Sequence, residues 1–376
     1  MLVGDTHYRT IWFDQTLGSV QIVDQTKLPY QFDIVSLNTV QEAATAISSM
    51  QVRGAPLIGA TGAYGLALAM REDCCDAMLH EASEMLIATR PTAINLRWAI
   101  ESLQSELMES SPEQRKAHAW QFASRLCDED VKACEAIGEH GAALLARVAD
   151  AKNGIVNVMT HCNAGWLATV DWGTALAPVY KAHDAGISVH VWVSETRPRN
   201  QGLYLSAWEL AAHGVPHTVI TDNAAGHLMQ TGQVDCCIVG TDRTLVSGDV
   251  CNKIGTYLKA LSAKANGVPF YVAAPSSSID WHGAKSAGDI PIEQRGVEEV
   301  INVSGLTNAG ELSTVQLRGN ESSKETTAYS NYAFDVTPAE LVTSLITERG
   351  VVDANLTALN KMFAEHFAPD SVGQDG

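Results

Sequence analysis

Positive charge is scarce in this sequence: Lys and Arg together number 25 against 43 Asp and Glu, a formal net charge of −18. Such a chain repels a phosphodiester backbone and an anionic membrane surface at long range, which excludes nucleic acid and membrane as its partners. A pocket that gathers a few of those basic residues can still take a small anion. Long apolar runs are also missing. The least charged stretch, 54–70, falls short of the ~20 residues of a membrane span and is interrupted by Gly54, Gly59, Gly62 and Gly65, so it reads as a buried helix close to a neighbouring backbone. The opening residues carry Asp5 and no apolar h-region, so no secretory signal is expected and the protein is placed in the cytoplasm. Eight cysteines include two adjacent pairs but no C-x-x-C, which argues against both a disulfide framework and a zinc site. Twelve histidines make no H-E-x-x-H, and no G-x-x-x-x-G-K-[ST] is present to hold a nucleoside triphosphate. Repeats and low-complexity tracts are absent as well.

What is there is an ordinary globular composition, 46% hydrophobic and 18% charged, over 376 residues, enough for two packed units at about 150 residues each. Residues 1–125 open with strand-like pieces at 10–13 and 19–23 and then turn helical, with helices expected over 39–50, 56–70, 76–89, 92–110 and 112–149, the last broken once. Residues 126–153 serve as a connecting helix. From 154 to 376 the pattern changes to short apolar runs at 155–160, 188–193, 217–221, 236–240 and 269–273, with a weaker sixth at 300–303. Segments of helical period, such as 165–185, 201–213 and 252–267, separate these runs. The alternation predicts an α/β chain: a Rossmann-like, doubly wound parallel sheet in the C-terminal domain behind a smaller, mainly helical N-terminal domain. The polar segment 304–331, rich in Ser, Thr, Asn and Gly, is expected to be an exposed loop, and its Asn320-Glu321-Ser322 sequon a chance match. Order resumes at Ala333, with a helix expected over 336–349 behind Thr337-Pro338.

In an open parallel sheet, ligands bind beyond the carboxyl ends of the strands. Five successive strand ends here are polar: T-H-C-N-A-G at 160–165, S-E-T-R-P-R-N-Q-G at 194–202, T-D-N at 221–223, G-T-D-R at 240–243 and A-P-S-S-S at 274–278. The turn after the first of these strands reads C-N-A-G-W-L and lacks G-x-G-x-x-G, so a nicotinamide cofactor is not expected. His161 and Cys162 are neighbours leaving a strand and point in opposite directions, which makes a shared metal ion a poor reading. No cofactor and no metal are expected.

Seven segments in order carry a resemblance: V-R-G-A-P-L-I-G at 52–59, R-P-T-A-I-N-L at 90–96, T-H-C-N-A-G at 160–165, E-T-R-P-R-N-Q-G at 195–202, G-T-D-R at 240–243, N-K-I-G-T at 252–256 and F-D-V-T-P at 334–338. Together they resemble the methylthioribose-1-phosphate isomerase family over about residues 12–351. That family shares a superfamily with ribose-1,5-bisphosphate isomerases and the regulatory subunits of translation initiation factor 2B, so fold alone does not decide among them. One departure is Asn331-Tyr332, where the family usually reads Asn-Pro.

The resemblance implies an intramolecular aldose–ketose isomerase of methionine salvage that converts 5-methylthioribose 1-phosphate to 5-methylthioribulose 1-phosphate, and a homodimer. A sugar phosphorylated on its anomeric oxygen cannot open to a free aldehyde, so ring opening needs acid–base help before hydrogen moves between carbons 2 and 1. Asp242 is the candidate acid/base at the oxygen atoms and Cys162 the candidate group at the carbon centre, with proton and hydride routes both open. An apolar wall such as Trp166 would tune the thiol. The resemblance places the substrate on Arg53 with the backbone of Gly54 and Ala55, on Arg90 as a bidentate fork, on Gln201 for a hydroxyl, and on Asn252 and Lys253, read as opening a helix whose dipole favours an anion. Two rivals remain. A ribose-1,5-bisphosphate isomerase needs a second basic cluster where a methylthio group wants an apolar pocket, and the segment 22–29 resembles the methylthioribose enzymes and favours the latter; a non-catalytic regulatory subunit has no use for a strand-end Cys and Asp together.

Overall fold

The computed structural model describes residues 1–284, 286–317 and 327–367. After a three-stranded antiparallel sheet (Ile11–Asp14, Ser19–Val23, Ile34–Leu37) come five helices: α1 (Val40–Ser48), α2 (Ala55–Glu72), α3 (Asp76–Thr89), α4 (Ile94–Met108) and α5 (Pro112–Lys152). Helix α1 starts where Thr39 accepts the Glu42 amide and the Glu42 carboxylate reaches back to the Thr39 amide, a reciprocal cap that fixes its first turn. Helix α2 is apolar nearly all round and forms the centre of the first core, with Leu57, Leu66 and Met70 packed against Leu86, Leu96, Ile100 and Phe122.

The second half builds a seven-stranded sheet. In chain order its strands are β1 (Val156–Thr160), β2 (Val189–Ser194), β3 (His217–Ile220), β4 (Cys236–Val239), β5 (Phe270–Ala273), β6 (Ser344–Thr347) and β7 (Gly350–Val352), and in space they run β7-β6-β5-β4-β1-β2-β3. All pairs are parallel except β6 with β7. The chain winds outward from β1 through β2 to β3, then returns to β4 and winds the other way. The reversal lies between β1 and β4, where diverging loops leave a crevice at the carboxyl ends. Cys162 follows β1 and Asp242 follows β4. A second, four-stranded sheet flanks that crevice and contains Arg243–Leu245, Val250–Lys253 and Phe334–Thr337.

The expected α/β architecture is present, with four local corrections. Helix α5 runs unbroken over 41 residues. Its internal glycines are packing sites: a Cβ on Gly141 would lie 2.3 Å from Pro178 Cγ at the start of the next helix, Ala177–Asp184. The helix expected over 336–349 is instead a strand, Phe334–Thr337, a single 3-10 turn, Ala339–Leu341, and β6. Thr337-Pro338 does start a turn, but the Ser-Leu-Ile-Thr run behind it is buried between β5 and β7 and pairs as a strand. The weaker run at 300–303 contributes to a hairpin, Asn302–Leu306 with Leu312–Gln316, outside the main sheet. That hairpin also replaces the beginning of the expected loop; Val303 faces Val315 and Leu306 faces Leu312 across it. Residues 318–326 of that segment, including Asn320, lie outside the described residues. No helix among the described residues is long and apolar enough to cross a membrane.

Candidate active site

The crevice is built on backbone that side chains normally avoid. Cys162 (φ +65°) and Thr196 (φ +65°), at the ends of β1 and β2, both occupy the left-handed region, which a β-branched residue such as Thr rarely enters. They brace one another: the Cys162 amide donates to Thr196 Oγ1 at 2.8 Å. Backbone held this way marks a place where the fold over-determines geometry, and here the result is a thiol turned into the cleft. His161 supports the same turn from behind. Its Nε2–H donates to the Ile254 carbonyl at 2.8 Å, Nδ1 faces Thr196 Oγ1 at 3.3 Å, and burial pushes its pKa down to about 3, so the ring is neutral.

Arg53 enters from the N-terminal helical half of the chain, just ahead of α2. Its guanidinium is buried and grips Asn163 twice, Nη1 on the side-chain oxygen and Nη2 on the backbone carbonyl at 2.8 Å, with Nη2 3.8 Å from Cys162 Sγ. Gly54 follows with φ +99°, and a Cβ there would lie 2.3 Å from the Ala168 carbonyl oxygen, so glycine is required for α2 to begin this close to the sheet. The free amides of that helix start, at Gly54 and Ala55, open on a cavity of about 30 Å³ walled also by Arg53, Cys162, Asp242 and Asn252. Arg53 borders in addition a wider groove of about 280 Å³, where Gln201 sits with Leu28, Met50 and Leu205. Gln201 joins the two spaces, because Cys162 Sγ donates to its Oε1 at 3.4 Å.

Charge is balanced around that cavity. Burial pushes the Cys162 thiol above its usual value, opposed by Arg53 and Lys253. Burial also raises Asp242, opposed by Lys253, Arg53 and Arg90. Lys253 is pushed down by burial, with Cys162 and Asp242 supporting its charge. Its Nζ has no hydrogen bond or ion pair within reach among the described residues; the Phe334 ring lies 5.6 Å away. A carboxyl whose proton affinity is raised and a thiol that burial keeps protonated, beside an uncommitted ammonium, make a site able to hold and exchange protons and to attract an anion.

The structure thus brings together Cys162, Asp242, Arg53, Gly54, Ala55, Gln201, Asn252 and Lys253. Three expectations change. Asn252 and Lys253 close the strand Val250–Lys253 and do not open a helix; the helix Thr256–Ala265 starts later, and Asp335 already takes the amides of Gly255 (2.7 Å) and Tyr257 (3.1 Å) at its N-terminus. Asn252 and Lys253 therefore act through side chains alone. Trp166 packs in the core 6.2 Å from Trp208, and the apolar wall near the thiol is made by Ala164 and Ala168. Arg90 stands outside the cavity wall and pairs with Glu293 at 3.2 Å, while its buried Nε has no partner. Sequence reasoning missed Asn163, Thr196, Glu209 and Glu293. Asn163 lay inside a quoted motif, but Glu209 looked like one more acidic residue on a helix.

The sequence matches the model of the initiation factor 2 subunit family over residues 51–354. A methylthioribose-1-phosphate isomerase of Methylorubrum extorquens is 56% identical over 365 residues, covering 97% of this chain and 99% of the relative. Among solved structures, 5-methylthioribose 1-phosphate isomerase from Pyrococcus horikoshii superposes with a TM-score of 0.80 at 39% identity, over 96% of this chain and 97% of the other. Translation initiation factor eIF-2B, subunit delta, from A. fulgidus gives 0.76 at 40%, over 95% and 99%.

Proposed function

The chain belongs to the initiation factor 2 subunit family and, within it, to the methylthioribose-1-phosphate isomerases, and we propose that Cys162 and Asp242 together perform its aldose–ketose conversion. The reaction turns 5-methylthioribose 1-phosphate into 5-methylthioribulose 1-phosphate in methionine salvage. A solved structure named as a translation factor is as similar as one named as an isomerase, so the fold does not carry this reading. The observation that carries it is the shared cavity: Cys162 and Asp242 line it from the ends of β1 and β4, the two strands at the sheet's reversal.

Ring opening delivers a proton to the ring oxygen, and ketone formation removes one from the hydroxyl of carbon 2. Asp242, its proton affinity raised by burial, serves both oxygens. Cys162 stands at the carbons between which hydrogen moves, its thiol steadied by Gln201 and Arg53. The phosphate is taken by Arg53, the amides of Gly54 and Ala55, and Lys253, with Arg90 contributing its field and Asn252 and Gln201 holding hydroxyls. The methylthio end extends into the groove beside Leu28, Met50 and Leu205. Arg199 on that groove is already engaged by Glu299 at 2.8 Å, a carboxylate it shares with Arg295, which disfavours a second phosphate and with it the bisphosphate substrate. We place the enzyme in the cytoplasm, in keeping with eight unpaired cysteines, and as a homodimer, for which the exposed Tyr257, Leu258 and Leu261 on one helix offer an apolar face. The N-terminal unit of 1–125, the connecting helix and the catalytic unit from 154 form its working division.

Cys162→Ser and Asp242→Asn test the pair. Each keeps approximate size, so turnover should fall by ~10² or more, as expected for lost acid–base catalysis, while substrate affinity by calorimetry changes far less. Near-normal turnover in Cys162→Ser would remove the thiol from the mechanism.

A further inference from the structure

Glu209 lies on the short helix Ala207–Ala212, lines none of the cavities around the site, and is 1% exposed. Its carboxylate nonetheless accepts four hydrogen bonds. Oε1 takes Asn163 Nδ2 at 2.8 Å and the Leu167 amide at 3.0 Å; Oε2 takes the Trp166 amide at 2.9 Å and Tyr180 Oη at 2.9 Å. Three of the partners, Asn163 Nδ2 and the two backbone amides, can only donate, so a proton on Oε1 would be aimed at another hydrogen, and only Tyr180 Oη could turn to receive one from Oε2. These donors favour the carboxylate form and oppose the burial that raises its proton affinity.

A buried anion without a counter-charge is costly, and no Lys, Arg or His nitrogen lies within 4 Å of Glu209 among the described residues. One positive charge reaches it through a single amide, in addition to the field of the Met1 ammonium. Asn163 donates from Nδ2 to Glu209 and, at 3.2 Å, to Ser206 Oγ, and it accepts Arg53 on both its side-chain and backbone oxygens. Turning that amide over would set its oxygen against the carboxylate and its NH₂ against the guanidinium. Both charges thus enforce one orientation. The small residue in the following turn serves the same arrangement: a Cβ on Gly165 would fall 1.7 Å from Glu209 Oε2, so only glycine lets the carboxylate pass.

We propose that Glu209 is a positioning residue for the reaction: through Asn163 it fixes the Arg53 guanidinium in the pose that faces both Cys162 and the substrate anion. The inference rests on the assignment of Arg53 to the site made above. A carboxylate that merely knitted the turn at 166–168 to Tyr180 would need its other three donors but not the Asn163 arm, and that difference makes the idea testable.

The experiment compares Glu209→Gln, Asn163→Ala, Tyr180→Phe and Arg53→Ala in full-length protein carrying Cys74→Ala and Cys75→Ser, which remove the more accessible thiols while keeping a hydroxyl at the Cys75 helix cap. Two quantities are read: kcat and KM separately, and the pH at which iodoacetamide alkylates Cys162 at half its maximal rate, followed by peptide mass spectrometry. Because Arg53 favours the thiolate, loosening it should move that pH upward. Glu209→Gln and Asn163→Ala should each move it toward the Arg53→Ala value, raise KM, and lower turnover roughly tenfold or more, since a misplacement of ~1 Å can cost ~10². Their double variant should be no worse than either alone. Tyr180→Phe removes a donor from the same carboxylate and should leave the alkylation pH unchanged.

A wild-type alkylation profile in folded Glu209→Gln overturns the proposal, as does an equal shift in Tyr180→Phe. If Glu209→Gln does not fold, a wild-type profile in Asn163→Ala overturns it in the same way. Arg53→Ala separates this inference from the reading beneath it. If that variant shifts affinity and profile while Glu209→Gln shifts neither, only the inference falls; if it shifts neither, the assignment of Arg53 falls and the inference with it.

Discussion

Replacing Lys253 by Met should make the folded protein more stable and the enzyme worse. Lys253 is an ammonium held 6% exposed at the end of a strand, with no carboxylate within 4 Å among the described residues. Burial lowers its proton affinity although Cys162, Asp242 and Glu299 all favour the charge and Arg295 opposes it, so desolvation outweighs attraction. The effective penalty for burying one ion is several kcal/mol, and replacing a buried ion pair by apolar side chains of similar volume is often neutral or gains about 1–4 kcal/mol. With part of that penalty already offset by Asp242 and Cys162, a gain of about 1–2 kcal/mol is expected. Met fills nearly the same volume and sets a thioether near the Phe334 ring, a contact worth ~0.3–1.5 kcal/mol. On the binding side, a charge-assisted hydrogen bond to phosphate contributes about 1.5–3 kcal/mol, so affinity should fall about 10- to 100-fold. Urea unfolding without ligand gives the first quantity and calorimetric titration with the ketose phosphate product gives the second. A Lys253→Met protein that loses more than ~1 kcal/mol of stability and binds product normally would show the lysine to be structural and refute the assignment.

His161 supplies a pH test. Its folded value is depressed to about 3 from 6.5, so between those values the unfolded chain carries the extra proton, and the stability this residue contributes is complete above pH 6.5 and lost as pH falls toward 3. Urea midpoints measured from pH 7 to 4 should therefore decline less steeply in His161→Gln than in the wild type, and parallel curves would count against a buried neutral ring. Gly54→Ala should destabilise by at least the ~1–3 kcal/mol typical of a strained backbone position, because the added methyl meets the Ala168 backbone whatever rotamers adjust nearby. It should also depress kcat/KM by disturbing Arg53; unchanged unfolding and unchanged kinetics would mean the α2 entrance is more plastic than its contacts imply. In the catalytic pair, the double variant Cys162→Ser with Asp242→Asn should be little slower than the worse single one, and multiplicative losses would indicate separate roles.

The elements with an unambiguous period were legible in the sequence. Alternating apolar runs placed β1 to β5 within a residue or two, and the polar strand ends included Cys162 and Asp242, which the family resemblance, and not their spacing, singled out as candidates. Long-range pairing was not legible. The Ser344–Thr347 segment becomes a strand because β5 and β7 lie on either side of it, and nothing within 336–349 reports those neighbours. Lys253 was found as a residue but misplaced as an element, because a strand that ends two residues before a helix cap shows the same local composition as the helix start. Glu209 could not be found at all from its surroundings in sequence. Its role depends on four donors contributed by three segments, and the sole trace it leaves locally is the glycine at position 165 that makes room for it.

Helix α5 has a consequence for how the protein comes apart. At ~1.5 Å per residue its 41 residues span about 60 Å, and along that length it belongs to two hydrophobic cores in turn. Ala119, Phe122 and Cys127 pack in the core around α2, whereas Ile137 and Leu145 pack under the large sheet with Val156 and Tyr180. A hinge between these cores would need a break in the helix, and Gly138 and Gly141, the natural places for one, are pinned against Ala177 and Pro178. Arg53 and Cys162, carried by different cores, are thus held in register by a rigid strut that both cores must release together. Amide exchange in the two halves of α5 should accordingly slow and quicken as one, and denaturation should proceed through a single cooperative unit where two would be expected from the chain's length.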